Sequence, residues 1–538
     1  MEGKHPAYIG PSPPPPEIFC RAALPGSVRL AVFPNQNPTI RPILNRVFFI
    51  CLAILSATSA ALYWTLPDSR SPVPVLYWIT QVDTVKEETI AQFKAWRRDQ
   101  GLPPVEVRID NVNQDPTKKL AQGLAGVGAD ILDIYTFETE LFAKSGILMD
   151  VTDQAKKMGF GPDATFPGVY SDLMISGRQY GFPRNAGAPV FWINQDTFAR
   201  YGVPEPATRW TWDEFEEIGR KLVTAANPPG THQRVYFTQM VSQIVLRRGL
   251  GLALFNETMT RCALNDPRNA EVMRRMYRWS TELHLVPTLQ DQKALSSDTG
   301  RSNDDWFYLY AKGRYAMLYV DRWGLIRMRE QGKLRSRVVE PCNSGFPNME
   351  FGCGIIAAYA ATKHPKEAVE FLQFLASKRF NLLVARSGDS LPPVPKYTHT
   401  DEFLRPPDHP EEWEAQQFFS HAAADLGISY DRSPFVLTDA IYRPVSGIDA
   451  QVIDAVLAGQ ISPEDAGRVE AARVDAEIAL NVRADPALKR LYDAQVKVQE
   501  KIDALRAQGR PIPVAWITNP FHRTYYKAKG WLEEEPKS

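Results

Sequence analysis

The chain has 538 residues, which is too long for a single hydrophobic core and predicts two or three domains. Apolar residues make up 44% of the chain and charged residues 23%, which is typical of a globular protein and excludes a disordered one. Lysine plus arginine equals aspartate plus glutamate at 62 each, so no overall positive charge attracts nucleic acid, and we expect no nucleic-acid partner.

A hydrophobic segment lies near the N terminus. Residues 47–66 are twenty residues without a charged side chain, enough helix to cross roughly 30 Å of hydrocarbon. Arg41 and Arg46 precede this segment and Asp68 follows it, which predicts that everything after about residue 70 lies outside the cytoplasm. The segment is either a transmembrane signal-anchor or a signal peptide cleaved near Ala60, and both alternatives predict export.

Alternating strands and helices are predicted directly after this segment. Residues 75–79 are a short continuous apolar run, as expected of a strand buried on both faces, and residues 105–109 and 131–135 predict a second and a third strand. Thr84 and Glu87 have the spacing of a capping box and predict a helix after the first strand. This order predicts a parallel, doubly wound sheet, in which ligands bind beyond the carboxyl ends of the strands. Residues 80–83 and 136–138 are therefore expected at the binding crevice.

A second group of elements follows a long, mostly helical interval. A capping box from Thr211 to Glu214 predicts another helix start, and residues 315–320 and 354–359 predict further strands. Pro365 is well placed in the first turn of a helix after the last of these strands. The alternation recurs, which predicts two α/β lobes between which the chain passes more than once.

Five short motifs follow one another along the chain: GADILDI with AKSGIL at 128–134 and 143–148, YGFP with FWINQD at 180–183 and 191–196, TWDE at 211–214, GRYAM at 313–317 with Trp323, and Gly352-x-Gly354 with Leu391-Pro392. In this order they resemble motifs of the extracellular solute-binding proteins of the maltose-binding type, family 1. Asp321 stands where the fourth motif normally has glycine. The resemblance covers roughly residues 73–470.

The resemblance implies an α/β, two-lobed periplasmic-binding-protein fold of type II, with doubly wound sheets and discontinuous lobes joined by a hinge. It implies the extracytoplasmic substrate-binding component of an ABC importer, which captures a sugar or oligosaccharide by cleft closure and delivers it to permease subunits. The ATPase would be a separate chain. No catalytic residue, cofactor or metal is implied, and we expect a monomer in the periplasm, anchored to the cytoplasmic membrane or released from it.

The chain is divided on this basis into five parts: a proline-rich tail or mis-assigned start at 1–45, the hydrophobic segment at 46–67, lobe 1 at 73–183 plus about 330–380, lobe 2 at 184–329 plus about 381–480, and a helical C-terminal extension at 481–538. The extension ends in a basic and aromatic tail. It either packs across the back of a lobe or docks on the permease or the membrane surface.

The resemblance also assigns ligand contacts. Trp323 matches the tryptophan on which a sugar ring stacks, and Asp321 and Arg322 directly before it would hydrogen-bond hydroxyl groups. The other candidates are Thr80, Gln81, Asp83, Phe137, Glu138, Asn185, Trp78, and the glycines Gly352 and Gly354, which would let the backbone approach the ligand. Trp78 lies within the first strand, where a core position is equally consistent with the pattern.

Three alternatives stay open at this point. Paired carboxylates among Asp133, Glu138 and Asp321 would suit an exported glycoside hydrolase or lyase. A membrane-anchored module that binds sugar and feeds a sensor would carry the same motifs. Cys342 and Cys353 either form a disulfide or are small buried thiols.

Overall fold

A computed structural model of the chain describes residues 50, 52–58, 73–299, 306–342 and 345–533. Residues 52–58 are helical and lie in a unit, 1–70, separate from the unit formed by 71–538. The proline-rich tail and most of the hydrophobic segment at 46–67 lie outside the described residues. Within the described ranges, no helix is both long and apolar enough to cross a membrane.

The strands form two principal sheets. Their bounds are β1 Val75–Ile79, β2 Glu106–Asp110, β3 Ile131–Ile134, β4 Met174–Ile175, β5 Arg178–Gln179, β6 Phe182–Gly187, β7 Val190–Asn194, β8 Tyr236–Thr238, β9 Tyr315–Val320, β10 Ser336–Val339, β11 Met349–Ala358 and β12 Gly427–Ser429. The first sheet has the order β12-β11-β3-β1-β2, and β6 pairs with β11. The second sheet has the order β10-β7-β9-β8, and β4 pairs with β5 in a small hairpin.

Helices connect and cover these strands. The α-helices span Thr84–Asp99, Pro116–Leu124, Thr136–Lys144, Thr152–Met158, Tyr170–Leu173, Gln195–Tyr201, Trp212–Ala226, Gln243–Gly249, Pro267–Tyr277, Leu289–Thr299, Trp306–Ala311, Gly324–Glu330, Pro365–Leu375, Lys378–Ser387, Asp401–Leu404, Trp413–Asp425, Thr438–Tyr442, Ile448–Leu457, Pro463–Ala484, Pro486–Ala507 and Pro520–Lys529. A π-helical turn lies at Arg278–Glu282, and 3-10 turns lie at Pro162–Ala164, Pro167–Val169, Pro395–His399, Pro410–Glu412 and Val514–Trp516.

The first sheet has a parallel centre. β1 pairs in parallel with β2 on one side and with β3 on the other, as the βαβ order predicts. β11 then runs antiparallel to both β3 and β6, so the sheet is mixed rather than fully parallel. The carboxyl ends of β1 and β3 lie side by side, which brings residues 80–83 and 133–138 to one edge.

Large aromatic side chains fill the space between the first sheet and its helices. Trp78 is fully buried in β1, and its ring centroid lies 5.2 Å from that of Phe371 on the Pro365–Leu375 helix. Phe93 on the Thr84–Asp99 helix lies 4.8 Å from the same phenylalanine. Both helices are therefore fixed to one face of the sheet by apolar burial.

Local signals account for several helix starts. The capping box of Thr211 and Glu214 forms as predicted. The box predicted at Thr84 does not form, because the N-cap is Asp83, whose carboxylate accepts from the Lys86 backbone N–H at 2.8 Å. Aspartate is as good an N-cap as serine or threonine, and it lies one residue earlier.

The chain passes directly from the first sheet to the second between β6 and β7. At this crossing, a Cβ on Gly187 would overlap the carboxylate of Asp321, so only glycine fits there. The lobe boundaries stay a prediction. β10 falls in the 330–380 span assigned to lobe 1, but it pairs with β7 in the second sheet.

The cysteines in the described ranges are thiols. Cys262, Cys342 and Cys353 are all free and buried, so Cys342 and Cys353 are not joined by a disulfide. Burial raises the pKa of each of these thiols, which keeps them protonated.

Candidate ligand-binding cavity

A cavity of about 720 Å³ lies at the carboxyl ends of β1 and β3. One wall is built from the residues that follow these strands and from the middle of β6. The rest of the lining includes Trp306, Phe307, Trp323 and residues of the Gly324–Glu330 helix. A site beyond the carboxyl ends of parallel strands is where the doubly wound arrangement places ligands.

Five of the residues predicted from the sequence line this cavity: Thr80, Gln81, Asp83, Asn185 and Trp323. Thr80 follows β1 directly, and its hydroxyl donates to Oδ2 of Asp133 at 2.8 Å. Asn185 lies in β6, where its side-chain oxygen accepts from the Gly354 backbone N–H at 3.0 Å. Both side chains are therefore held in place by other residues of the first sheet.

Trp323 presents an exposed aromatic ring. It is 37% exposed, and its ring meets that of Phe307 edge-on at 5.6 Å. Trp323 follows β9 and immediately precedes the Gly324–Glu330 helix, which fixes its backbone. Trp323 and Phe307 therefore form a pair of aromatic rings in the cavity lining.

Three predicted contacts are corrected by the structure. Trp78 is fully buried in the core, because its side chain points towards Phe371 rather than the crevice. Arg322 is fully buried and bonds to protein groups, among them Oε1 of Gln416 at 2.6 Å. Asp321 is 9% exposed and accepts from the Ser390 hydroxyl. None of the three lines the cavity.

Glu138 and Phe137 lie behind the cavity wall. Glu138 is fully buried, accepts from the Tyr135 backbone N–H at 2.6 Å and pairs with the Lys119 ammonium at 2.7 Å. Phe137 stacks on the ring of Tyr135 at 5.6 Å. Lys119 and Tyr135 do line the cavity, so the two predicted residues support the wall instead of forming it.

The two predicted glycines lie in β11. A Cβ on Gly354 would lie 2.6 Å from Nη2 of Arg184, and one on Gly352 would lie 3.2 Å from the Tyr430 ring. The close approach at Gly354 is to an arginine side chain of the protein. This glycine therefore makes room for Arg184 and does not line the cavity.

Charged residues that sequence analysis did not assign as ligand contacts form the cavity floor. Arg184 lies between two carboxylates, with its Nε 3.4 Å from Oδ1 of Asp133 and its Nη1 3.2 Å from Oδ2 of Asp389. Asp389 also accepts from the Asn185 side-chain amide at 2.9 Å. Arg184 directly follows the YGFP motif and Asp133 lies near the end of β3, so the sequence around each of them gave a local signal, whereas Asp389 had none.

Both partners of the Arg184–Asp389 pair are ionised. Burial alone would raise the pKa of Asp389, but the nearby charges of Arg184 and Lys86 hold it below its usual value. Burial likewise acts to lower the pKa of Arg184, and the carboxylates of Asp133 and Asp389 outweigh it and raise that pKa. The floor is a fixed arrangement of opposite charges.

The carboxylate pairs considered for glycoside hydrolysis do not meet in the cavity. Of Asp133, Glu138 and Asp321, only Asp133 lines it. The Glu138 carboxylate forms an ion pair with Lys119, and Asp321 is buried behind the cavity wall. The cavity offers hydrogen-bonding groups and an aromatic face, which are the means of holding a polar ligand.

Residues 84–381 match the family of bacterial extracellular solute-binding proteins. An uncharacterised ABC transporter extracellular-binding protein of Pyrococcus horikoshii is 24% identical over 273 residues, 49% of this chain and 59% of the relative. The sn-glycerol-3-phosphate-binding periplasmic protein UgpB of Pectobacterium atrosepticum is 25% identical over 240 residues, 43% of this chain and 51% of the relative. The matched regions thus span only a little more than half the length of these curated relatives.

Solved structures share the fold. An ABC substrate-binding protein of Listeria monocytogenes, in complex with cycloalternan, superposes with a TM-score of 0.62 at 20% identity. The match covers 76% of this chain and 99% of the Listeria chain. The α/β solute-binding fold expected from the sequence is confirmed by this likeness.

Proposed function

Because the chain belongs to the family of bacterial extracellular solute-binding proteins, which are not enzymes, we propose that it is the extracytoplasmic substrate-binding component of an ABC importer. It captures a solute in the cavity beyond β1 and β3 and delivers it to permease subunits in the membrane. Two lobes, built around the two sheets, close over the ligand because only the closed form contacts it from both sides.

The ligand is a sugar or oligosaccharide. The observation that carries this proposal is the exposed side chain of Trp323, which lines the same cavity as hydrogen-bonding side chains such as Gln81 and Asn185. A sugar ring has apolar C–H faces and a hydroxyl rim, so one aromatic wall and one polar wall complement it. The Listeria protein of the same fold binds cycloalternan, a further reason to expect a saccharide.

The hydrophobic segment at 46–67 keeps the protein at the outer face of the cytoplasmic membrane, or is removed when the protein is exported. An anchored form would hold the cavity near the permease. Membrane fractionation of cells that produce the full chain, followed by N-terminal sequencing of the mature protein, distinguishes retention from cleavage.

A ligand screen tests the proposed function. Purified protein that begins at residue 73 is melted in the presence of uncharged mono- to tetrasaccharides, and isothermal titration calorimetry follows any compound that raises Tm. A ligand present at 100 times its Kd stabilises the folded protein by about 2.7 kcal/mol, so a true ligand clearly raises Tm. We expect a saccharide to bind without being consumed. Release of a smaller sugar would establish a hydrolase, and no response to any saccharide would overturn sugar binding.

A further inference from the structure

The basic residues that line the cavity are all paired with carboxylates. The pairs are Lys86 with Asp83 at 3.7 Å, Lys119 with Glu138 at 2.7 Å, Arg184 with Asp133 at 3.4 Å and Asp389 at 3.2 Å, and Arg327 with Glu330 at 3.4 Å. Within the described part of the chain, the cavity therefore presents no cation without a carboxylate partner.

The group around Arg184 carries more negative than positive charge. Its guanidinium contributes one positive charge, while Asp133 and Asp389 contribute two negative charges at 3.4 Å and 3.2 Å from it. Lys86, whose charge also acts on Asp389, is itself paired with Asp83. Asp389 is 4% exposed, and burial keeps water from screening this group effectively. A phosphate or carboxylate that entered the cavity would lose its hydration and meet a surplus negative charge.

The carboxylate of Asp389 is held rigidly. Oδ1 accepts from the Asn185 amide at 2.9 Å and from the Ser390 backbone N–H at 2.7 Å, while Oδ2 faces Arg184. The carboxylate cannot turn away from the guanidinium without leaving both hydrogen bonds unmade. Arg184 packs against Gly354, which has no side chain and so leaves the space that the guanidinium occupies.

Given the solute-binding function proposed above, we propose that Asp389 and Asp133 are specificity-determining residues that occupy Arg184 and so restrict the cavity to uncharged polyhydroxylated solutes. Arginine is the side chain best suited to bind phosphate through two parallel hydrogen bonds. Here Asp389 accepts from Nη1 of Arg184, and the Asp133 carboxylate lies 3.4 Å from Nε, so both carboxylates lie beside the guanidinium, where a phosphate would bind. Removing Asp389 frees an N–H group of Arg184, and removing either carboxylate takes away one negative charge beside the guanidinium.

The experiment compares matched pairs of uncharged and anionic probes: glucose with glucose 1-phosphate, and glycerol with sn-glycerol 3-phosphate. Binding to wild type, Asp389→Asn and Asp133→Asn is measured by calorimetry at constant ionic strength. We expect wild type to bind neither phosphate more tightly than its uncharged counterpart. We expect each variant to bind at least one phosphate at least tenfold more tightly than wild type does.

Two further variants make the result specific. Asp196→Asn removes a carboxylate from an exposed pair with Arg335 outside the cavity, at 3.0 Å, and is expected to give no gain. Arg184→Gln combined with Asp389→Asn is expected to abolish the gain, since the freed guanidinium is then absent. Circular dichroism melting establishes that each variant folds, and Asp133→Asn carries the test if Asp389→Asn does not fold.

The failures are distinguishable. A wild-type preference for the phosphates, or folded variants without any gain, overturns the specificity role and leaves solute binding standing. A wild type that binds no uncharged saccharide in the wider screen overturns the proposed sugar function, whereas the comparison of each variant with wild type still decides the role of Asp389.

Discussion

The guanidinium of Arg322 donates to the backbone carbonyl of Ala385 at 2.8 Å, near the C-terminal end of the Lys378–Ser387 helix. The same side chain donates to the carbonyl oxygen of Ser390 at 3.1 Å and stacks over the Phe403 ring at 4.3 Å. The residue next to the exposed Trp323 thus fixes the loop that carries Asp389. This one arginine therefore joins the segment that carries Trp323 to the loop that carries Asp389.

Replacing Arg322 by leucine is expected to destabilise the fold by about 3–5 kcal/mol, because buried carbonyl groups lose their donor. Urea unfolding followed by circular dichroism measures the loss. Arg335→Leu is the matched control, since the Arg335 side chain is 69% exposed and its loss is expected to change the unfolding free energy by less than about 0.5 kcal/mol. Equal stabilities of the two variants would contradict the structural role of Arg322.

Replacing Trp323 by alanine is expected to weaken binding of the responding saccharide by about 1–2 kcal/mol, or roughly 5- to 30-fold, because a sugar ring loses its stacking surface. Calorimetric titration measures the affinity. Trp531→Ala is the control, because Trp531 is similarly exposed at 48% but lies in the C-terminal extension. An unchanged affinity in Trp323→Ala would show that the ligand does not bind against this ring.

Local patterns in the sequence predicted much of the fold and only part of the cavity. Some elements are encoded by residues that are neighbours in the chain, and three predictions of this kind are confirmed: the strands at 75–79 and 315–320 and the capping box at Thr211. Asp389 pairs with Arg184, 205 residues away, and no local pattern encodes such a contact.

The candidates that the structure corrected are buried residues with polar or aromatic side chains. Arg322 and Trp78 have side chains that suit a ligand site, and their full burial follows from tertiary packing alone. Sequence position beside a cavity-lining residue therefore does not distinguish a side chain that lines the cavity from one that supports the wall. Glu138 shows the same effect, since it forms an ion pair with a lining lysine from behind the wall.

The unfolding free energy is expected to depend on pH through Asp321. Burial raises the pKa of Asp321 from an ordinary value of 3.8 to about 7. The hydrogen bonds from Ser390 and from the Arg322 backbone act in the opposite direction but are outweighed. The folded state therefore holds a proton that the unfolded state releases between about pH 4 and pH 7. Rising pH removes up to about 1.4 kcal/mol of stability per pH unit across this window, and the loss ends above it.

Asp321→Asn isolates this contribution, because asparagine has the same shape and does not ionise. Urea unfolding of both proteins at pH 5, 6, 7 and 8 gives the difference in unfolding free energy. We expect wild type to lose stability relative to the variant as pH rises to about 7, with little further change at pH 8. Parallel pH profiles would show that Asp321 does not titrate in the folded state.

Glu257 joins the C-terminal extension to the rest of the fold. Its side chain is 2% exposed and accepts from Arg506 at 2.7 Å, from Gln499 at 2.8 Å and from the Tyr526 hydroxyl. Burial raises the pKa of this carboxyl, but the charges of His522 and Arg506 hold it below its usual value, so it is ionised. One carboxylate therefore contacts both the Pro486–Ala507 and the Pro520–Lys529 helices.

Glu257→Ala is expected to cost about 2–4 kcal/mol, because these donors lose a buried charged acceptor. Hydrogen exchange should show lost protection in the two C-terminal helices while β11 stays protected, since the extension packs on the fold instead of forming its sheets. Glu500→Ala removes an exposed carboxylate from the same helix region and should leave the exchange pattern unchanged. Uniform loss of protection across the chain would show that the extension unfolds only together with the two sheets.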